Sequence, residues 1–154
     1  GCEILCDLNR LTEFINITHQ YDCVLDVGTL EHCFNIGAAI VNMSTLIKIG
    51  GTIFHENPFN WGNHGFYNLN PTFYSDFYGQ LGFRLNECKL IMRDGRVCDP
   101  PLTKRFQFME GEANIFASAN RVSSCLARWP TQTKYKHLIS DAGIRAEQKE
   151  AAHG

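Results

Sequence analysis

Apolar positions along the chain alternate between short strand-like runs and helical stripes. Tyr21, Cys23, Val24, Leu25 and Val27 form a run broken only by Asp22 and Asp26, a pattern that suits a strand buried on both faces. Gly28 ends it. Ile36, Ala39, Ile40, Met43, Leu46 and Ile47 then recur at three- and four-residue steps, the spacing of one core-facing helical stripe. Asn35 is placed to cap that helix. Gly50 and Gly51 are placed to stop it, with Lys48 near the negative end of the helix dipole. Thr52, Ile53, Phe54 and His55 follow as a second strand. Strand, helix and strand with such short connections predict a βαβ unit whose strands are parallel and whose crossover is right-handed.

The flanking segments extend this α/β pattern. Cys2 to Leu8 reads as an earlier strand ending in Asp7, and Asn9 to Gln20 as a short helix or turn with Leu11, Phe14 and Ile17 inward. His55 to Pro71 is a loop rich in Asn, Gly and aromatic residues. Asn70 and Pro71 make a strong helix start. The helix carries Phe73, Tyr74, Phe77, Tyr78 and Leu81, an aromatic stripe expected to face the core, and Gly82 ends it. Phe83 to Met92 predicts a strand, Asp94 and Gly95 a turn, Val97 to Gly111 a surface loop, and Ala113 to Val122 the last strand. Pro130 opens a terminal helix with Tyr135, Leu138, Ile139 and Ala142 at helical steps, and the polar end AEQKEAAHG frays.

At 154 residues and 44% hydrophobic, the chain is read as a single domain with its own core. It divides into residues 1–20, a core at 21–122 and a helical extension at 123–154. A net charge of −2 argues against a protein that holds nucleic acid or an anionic membrane by electrostatics. No apolar run approaches the roughly 20 residues that cross a bilayer, and no signal peptide opens the chain, so a cytoplasmic protein is expected. Cys2, Cys6, Cys23, Cys33, Cys88, Cys98 and Cys125 include no CxxC pair and read as reduced, structural thiols. The chain opens on Gly1 rather than methionine, as a fragment or a tagged form would.

Loops at the carboxyl ends of parallel strands are where such sheets bind ligands. After the first strand comes Leu30, Glu31 and His32. His32 is the first candidate for a general base, because imidazole titrates near neutrality, with Glu31 to orient it and His64 as the second candidate. Capping the following helix is the plainer role for His32. Asn57, Trp61, Asn63 and Tyr67 offer donors, acceptors and a stacking surface to a small-molecule substrate. Alternatively, Trp61, Phe66 and Tyr67 simply anchor a long loop. A rival reading has His32, His55, His64 and Glu56 converge on a metal ion. No HxH or HExxH spacing puts two ligands on one element, and the sequence assigns no metal. A Cys33–His32 hydrolase is weaker still, because neighbours in a chain rarely face one another.

The succession LDVGTLEHCFN, a helix, LIKIGGTIFHENP and NHGFYNLNPTFYSDFY resembles the second half of class I S-adenosylmethionine-dependent methyltransferases, most nearly a bacterial group of unassigned small-molecule methyltransferases. The likeness covers most of Asp7 to Val122. It implies a Rossmann-like sheet, truncated here, with parallel core strands and an antiparallel C-terminal strand. Leu30, Glu31 and His32 match an LEH-like triplet after the family's fourth strand. Lys48 to Gly51 match a Lys-Pro-Gly-Gly turn before the fifth, with Ile49 in the proline's place. The resemblance further implies S-adenosylmethionine as cofactor. Asp7 would accept from the adenine amino group, beside Leu8, and Asp26, Gly28, Thr29 and Leu30 would form the fourth-strand wall. The reaction implied is methyl transfer to an unidentified small-molecule acceptor.

The family's first strand, Gly-rich loop and second-strand acid have no counterpart in this sequence, so it is expected to hold the cofactor incompletely. In the family the first strand pairs with the fourth. Its loss would leave Cys23 to Leu25 as an apolar edge that invites another chain, most simply a second copy in a homodimer. The segment Cys2 to Leu8 folding back is the alternative cover. The second functional reading is a catalytically incompetent methyltransferase-like domain acting as a dimeric binding or structural module.

Overall fold

The computed structural model of this chain describes residues 5–11, 20–108, 111–124 and 129–136. The apolar run after Gln20 forms β1 (Tyr21–Val27). The helical stripe forms α1 (Ile36–Thr45), capped by Asn35, whose side chain accepts from the Ala38 amide. There follow β2 (Ile47–Pro58), α2 (Pro71–Gln80), β3 (Phe83–Met92), β4 (Val97–Cys98) and β5 (Ala113–Arg121). Asn70 caps α2 by accepting from the Phe73 amide, and Pro71 stands in its first turn, where a missing N–H costs nothing.

The strands make one five-stranded sheet in the order β1-β2-β5-β3-β4. β1 and β2 are parallel, whereas β5 runs antiparallel to both β2 and β3. This is an α/β architecture with a parallel pair around a helical crossover and an antiparallel C-terminal strand set beside it. One face of the sheet carries Ile53, Cys88, Leu90, Ile115, Ala117 and Ala119. They pack with Ala39, Ile40 and Met43 of α1 and with Tyr74, Phe77 and Tyr78 of α2 into a single core. Each fully buried Leu, Ile, Met or Phe side chain contributes roughly 1.5–3 kcal/mol. The other face is more open: Leu25 and Val27 are each 68% exposed, and Phe54 and Phe116 lie beside one another with ring centroids 6.3 Å apart.

Several sequence expectations are corrected. β1 is not buried on both faces: Tyr21, Cys23, Leu25 and Val27 are exposed, and the buried residue is the charged Asp26. Among the described residues β1 is an edge strand, so alternation along it places one set against the helices and leaves the other open. α1 stops at Thr45, and Lys48 is no dipole partner of the helix, because it lies in β2 and pairs with Asp22 at 2.9 Å. Gly50 and Gly51 lie inside β2 rather than ending α1. Gly50 takes a left-handed φ of 89°, and a Cβ on Gly51 would stand 2.8 Å from the Asp22 carbonyl. The pairing with β1 shifts register at this point, and only glycine allows so close an approach.

Residues 5–11 form no strand, and the rest of the expected early strand lies outside the described residues, as does most of 9–20. Asn9 instead docks on the start of α1, its side-chain oxygen accepting from the Asn35 amide (2.9 Å) and its backbone carbonyl from the Asn35 side chain (3.1 Å). The Leu8 and Arg10 carbonyls both accept from the Asn42 side chain. The described part of 1–20 therefore packs on α1 rather than beside β1. The loop expected at 97–111 contains β4, a two-residue strand on β3. Past Pro130, Thr133–Tyr135 form a 3-10 turn, and the remainder of the expected terminal helix lies outside the described residues. Among the described residues no helix is long and apolar enough to cross a membrane.

Candidate functional site

The carboxyl ends of β1 and β2 carry polar side chains into the buried core. On β2 the inward positions alternate Ile53, His55 and Asn57, so two polar residues stand on the face that meets α2. On α2, Tyr74 and Tyr78 are one turn apart and fully buried. Each β2 residue joins one tyrosine to one acid from the β1 end, giving two parallel buried relays.

In the first relay, Asp26 Oδ2 lies 2.7 Å from His55 Nδ1, and His55 Nε2 lies 2.5 Å from the Tyr78 hydroxyl. Asp26 Oδ1 accepts from the Thr29 and Leu30 amides, each at 3.2 Å. With Asp26 ionised, its oxygens only accept, so Nδ1 carries the proton and Nε2 accepts from the hydroxyl. Burial pushes the Tyr78 phenol far above its ordinary range, which keeps it a donor. A carboxylate with three donors is well compensated for its desolvation. The turn of chain after β1 is thereby held in one shape.

The second relay runs from Glu31 to Asn57 to Tyr74. Asn57 Nδ2 donates to Glu31 Oε2 at 3.0 Å, and the Tyr74 hydroxyl, its pKa raised well above the ordinary value chiefly by burial, donates to Asn57 Oδ1. Glu31 belongs to a 3-10 turn, Leu30–His32, and its side chain is 1% exposed. Its other oxygen, Oε1, is buried without a hydrogen-bond partner. That oxygen lies 3.9 Å from His32 Nε2 and 3.7 Å from His64 Nε2. The imidazoles are about half exposed, with ring centroids 5.3 Å apart.

The loop between β2 and α2 is tied down so that His64 reaches this point. Asn63 takes a left-handed φ of 54°. The Phe66 amide donates to the Glu31 carbonyl at 2.8 Å, and a Cβ on Gly65 would lie 2.8 Å from that same oxygen. Trp61 is fixed by its indole N–H on the Ala113 carbonyl and sets its ring against His64, centroids 5.5 Å apart. The Tyr67 hydroxyl donates to the Phe34 carbonyl.

The structure thus brings together Glu31, His32 and His64, the three residues the sequence nominated for catalysis. It does not bring the earlier metal set together as proposed: His55 is sealed between Asp26 and Tyr78, and Glu56 bonds Asn114. Asn57 is buried beneath Glu31 and orients it. Trp61, Asn63 and Tyr67 remain in the loop beside the histidines, with Asn63 exposed and the two aromatics half-buried. Among the residues implied for the cofactor, Gly28, Thr29 and Asp7 present surface, whereas Asp26 and Leu30 are buried. Asp7 accepts from the Asn9 amide and side chain, contacts that lower its pKa.

Sequence reasoning missed both relays. The available signal was the alternation of His55 and Asn57 at inward strand positions opposite tyrosines four residues apart. A separate cleft of about 910 Å³ opens between the start of α2 and residues 101–108. None of the Glu31 cluster lines it. No protein-family model matches the chain, and no curated protein does so either.

Proposed function

We propose that this chain carries the acceptor side of an S-adenosylmethionine-dependent methyltransferase site acting on a small molecule in the cytoplasm. The observation that carries the reading is the buried Glu31 carboxylate, which turns an unpartnered oxygen toward His32 and His64 at the carboxyl mouth of two parallel strands. That mouth is where open α/β sheets bind ligands. The antiparallel strand set next to β2 agrees with the sheet that the resemblance implies. The cofactor supplies an electrophilic methyl group. His64 or His32 takes the acceptor's proton, while Glu31 favours the imidazolium that forms. Asp7, Gly28 and Thr29 line the cofactor side, and Trp61, Asn63 and Tyr67 surround the acceptor.

The test is transfer of labelled methyl from S-adenosylmethionine to a panel of small hydroxyl-bearing acceptors by the full-length protein. His64→Ala and His32→Ala are expected to lower the rate by roughly 10²–10⁴-fold in at least one case. Absence of transfer together with absence of calorimetric heat on adding S-adenosylmethionine would overturn the reading. It would favour a non-catalytic module, which the exposed apolar edge of β1 supports. In either case we propose that β1 pairs with a second copy.

A further inference from the structure

Glu31 Oε1 is an anomaly on its own terms. A buried carboxylate oxygen normally has a partner, and leaving one without costs on the order of 1–3 kcal/mol or more. Here two imidazole nitrogens face it from beyond hydrogen-bond distance, at 3.7 and 3.9 Å, so neither satisfies it. The three donor atoms lie within 4.8 Å of one another. We propose that Glu31 Oε1, His32 Nε2 and His64 Nε2 bind one divalent first-row transition ion of zinc type, with the remaining coordination open to an oxygen donor of the small-molecule ligand.

The donor chemistry fits such an ion. Two imidazoles and a carboxylate are borderline ligands that suit zinc, cobalt or iron rather than magnesium or calcium. Three protein ligands, not four, make an open site of the kind that binds and polarises a ligand. A tetrahedral zinc with bonds of ~2.0–2.2 Å needs donors roughly 3.3 Å apart, so closing on an ion asks for movements under about 1 Å. The half-exposed histidines have that freedom. The carboxylate does not, and it is already oriented.

The surroundings supply what ligands of a metal need behind them. Asn57 donates to Glu31 Oε2, and the Tyr74 hydroxyl fixes Asn57 in turn, so Oε1 is left pointing at the histidines. Outer partners of this kind are part of a metal site's affinity. The Phe66 amide on the Glu31 carbonyl and the Trp61 ring against His64 hold the second ligand-bearing segment on the first. His32 follows Glu31 directly in a 3-10 turn, and His64 reaches across from the other loop. Spacing along the sequence therefore could not disclose the set. With Nε2 of both histidines on an ion, neither imidazole would serve as the base of the proposed reaction, and the ion would instead activate the bound acceptor oxygen by lowering its pKa. Ion binding requires no methyl donor, so failure of methyl transfer and failure of metal binding are separate outcomes.

The experiment is titration of the full chain with Co²⁺, followed by visible absorption, and competition of bound Co²⁺ by Zn²⁺. The expected result is one ion per chain with bands of a nitrogen and oxygen site and no intense near-ultraviolet thiolate band. Glu31→Gln and His64→Ala are each expected to weaken binding at least 10-fold, and Tyr74→Phe roughly 10-fold through the outer partners. His64 is exposed enough that its variant folds, and circular dichroism checks this. No binding to a folded chain, binding unchanged in both ligand variants, or a thiolate spectrum would overturn the assignment. A carboxylate that merely accepts a hydrogen bond from one of the imidazoles would give the first of these results.

Discussion

Asn57 Nδ2 donates to Glu31 Oε2 at 3.0 Å, and this one bond decides where the other carboxylate oxygen points. Asn57→Ala leaves Glu31 Oε2 and the Tyr74 hydroxyl buried without partners, each at about 1–3 kcal/mol. Urea denaturation is expected to show a loss of about 2–6 kcal/mol. Asn57→Asp keeps the acceptor for Tyr74 but sets a second carboxyl against Glu31, and it is expected to be no better.

The Asp26–His55 pair predicts strong coupling. His55→Ala removes the side chain that joins a buried carboxylate to a buried phenol, and is expected to cost about 3–5 kcal/mol. A double-mutant cycle of Asp26→Asn with His55→Ala should give an interaction of about 1–3 kcal/mol. Additive single effects would mean that the two groups do not depend on one another.

Gly65→Ala tests the clasp between the two loops. The added methyl would lie 2.8 Å from the Glu31 carbonyl, so the loop must move and the Phe66–Glu31 bond lengthens. A loss of about 1–3 kcal/mol is expected. Gly62→Ala, where a Cβ meets nothing within 4 Å, is the control and should change stability by less than about 1 kcal/mol.

Burial pushes the Cys88 thiol up to about 11 from an ordinary 9.0, and it raises Cys33 as well. As pH rises past 9, the unfolded chain releases these protons before the folded one does. The folded state then holds more protons, so stability present below pH 9 falls as pH rises toward 11. Denaturation measured across this range should show that fall, and Cys88→Ala should flatten it. At pH 8 the exposed Cys23 should react with a thiol reagent well ahead of Cys88.

Self-association through β1 predicts a sedimentation coefficient that rises with protein concentration. Leu25→Lys places a charge on the exposed apolar edge and should hold the chain as a monomer. A monomer at every concentration in the unmodified protein would remove the proposed interface.

What was legible in the sequence was what is local. Asn35 and Asn70 cap helices because a side-chain oxygen meets an amide three residues on, and Phe83–Met92 forms one strand over the run the sequence marks. The Glu31, His32 and His64 cluster was legible as a set of nominees, since each sits just past a parallel strand. Its arrangement was not. The burial of Asp26 depends on His55 one strand away, and no periodicity within β1 encodes that. Gly50 and Gly51 read as a helix stop because the same residue that ends helices also lets strands approach closely. Only the pairing of β2 with β1 separates the two uses.

The two relays also act as a key for the helix that carries their ends. His55 and Asn57 are spaced roughly 6.6 Å along their strand, and Tyr74 and Tyr78 roughly 6.0 Å along theirs, with rings near parallel and 6.5 Å apart. These pitches coincide at one seating. Sliding α2 by a turn would hand Tyr78 to Asn57 and bring Gly82, which has no hydroxyl, opposite His55. Because α2 fixes the far end of the loop bearing His64, a notch two residues wide in a strand sets where that imidazole is delivered.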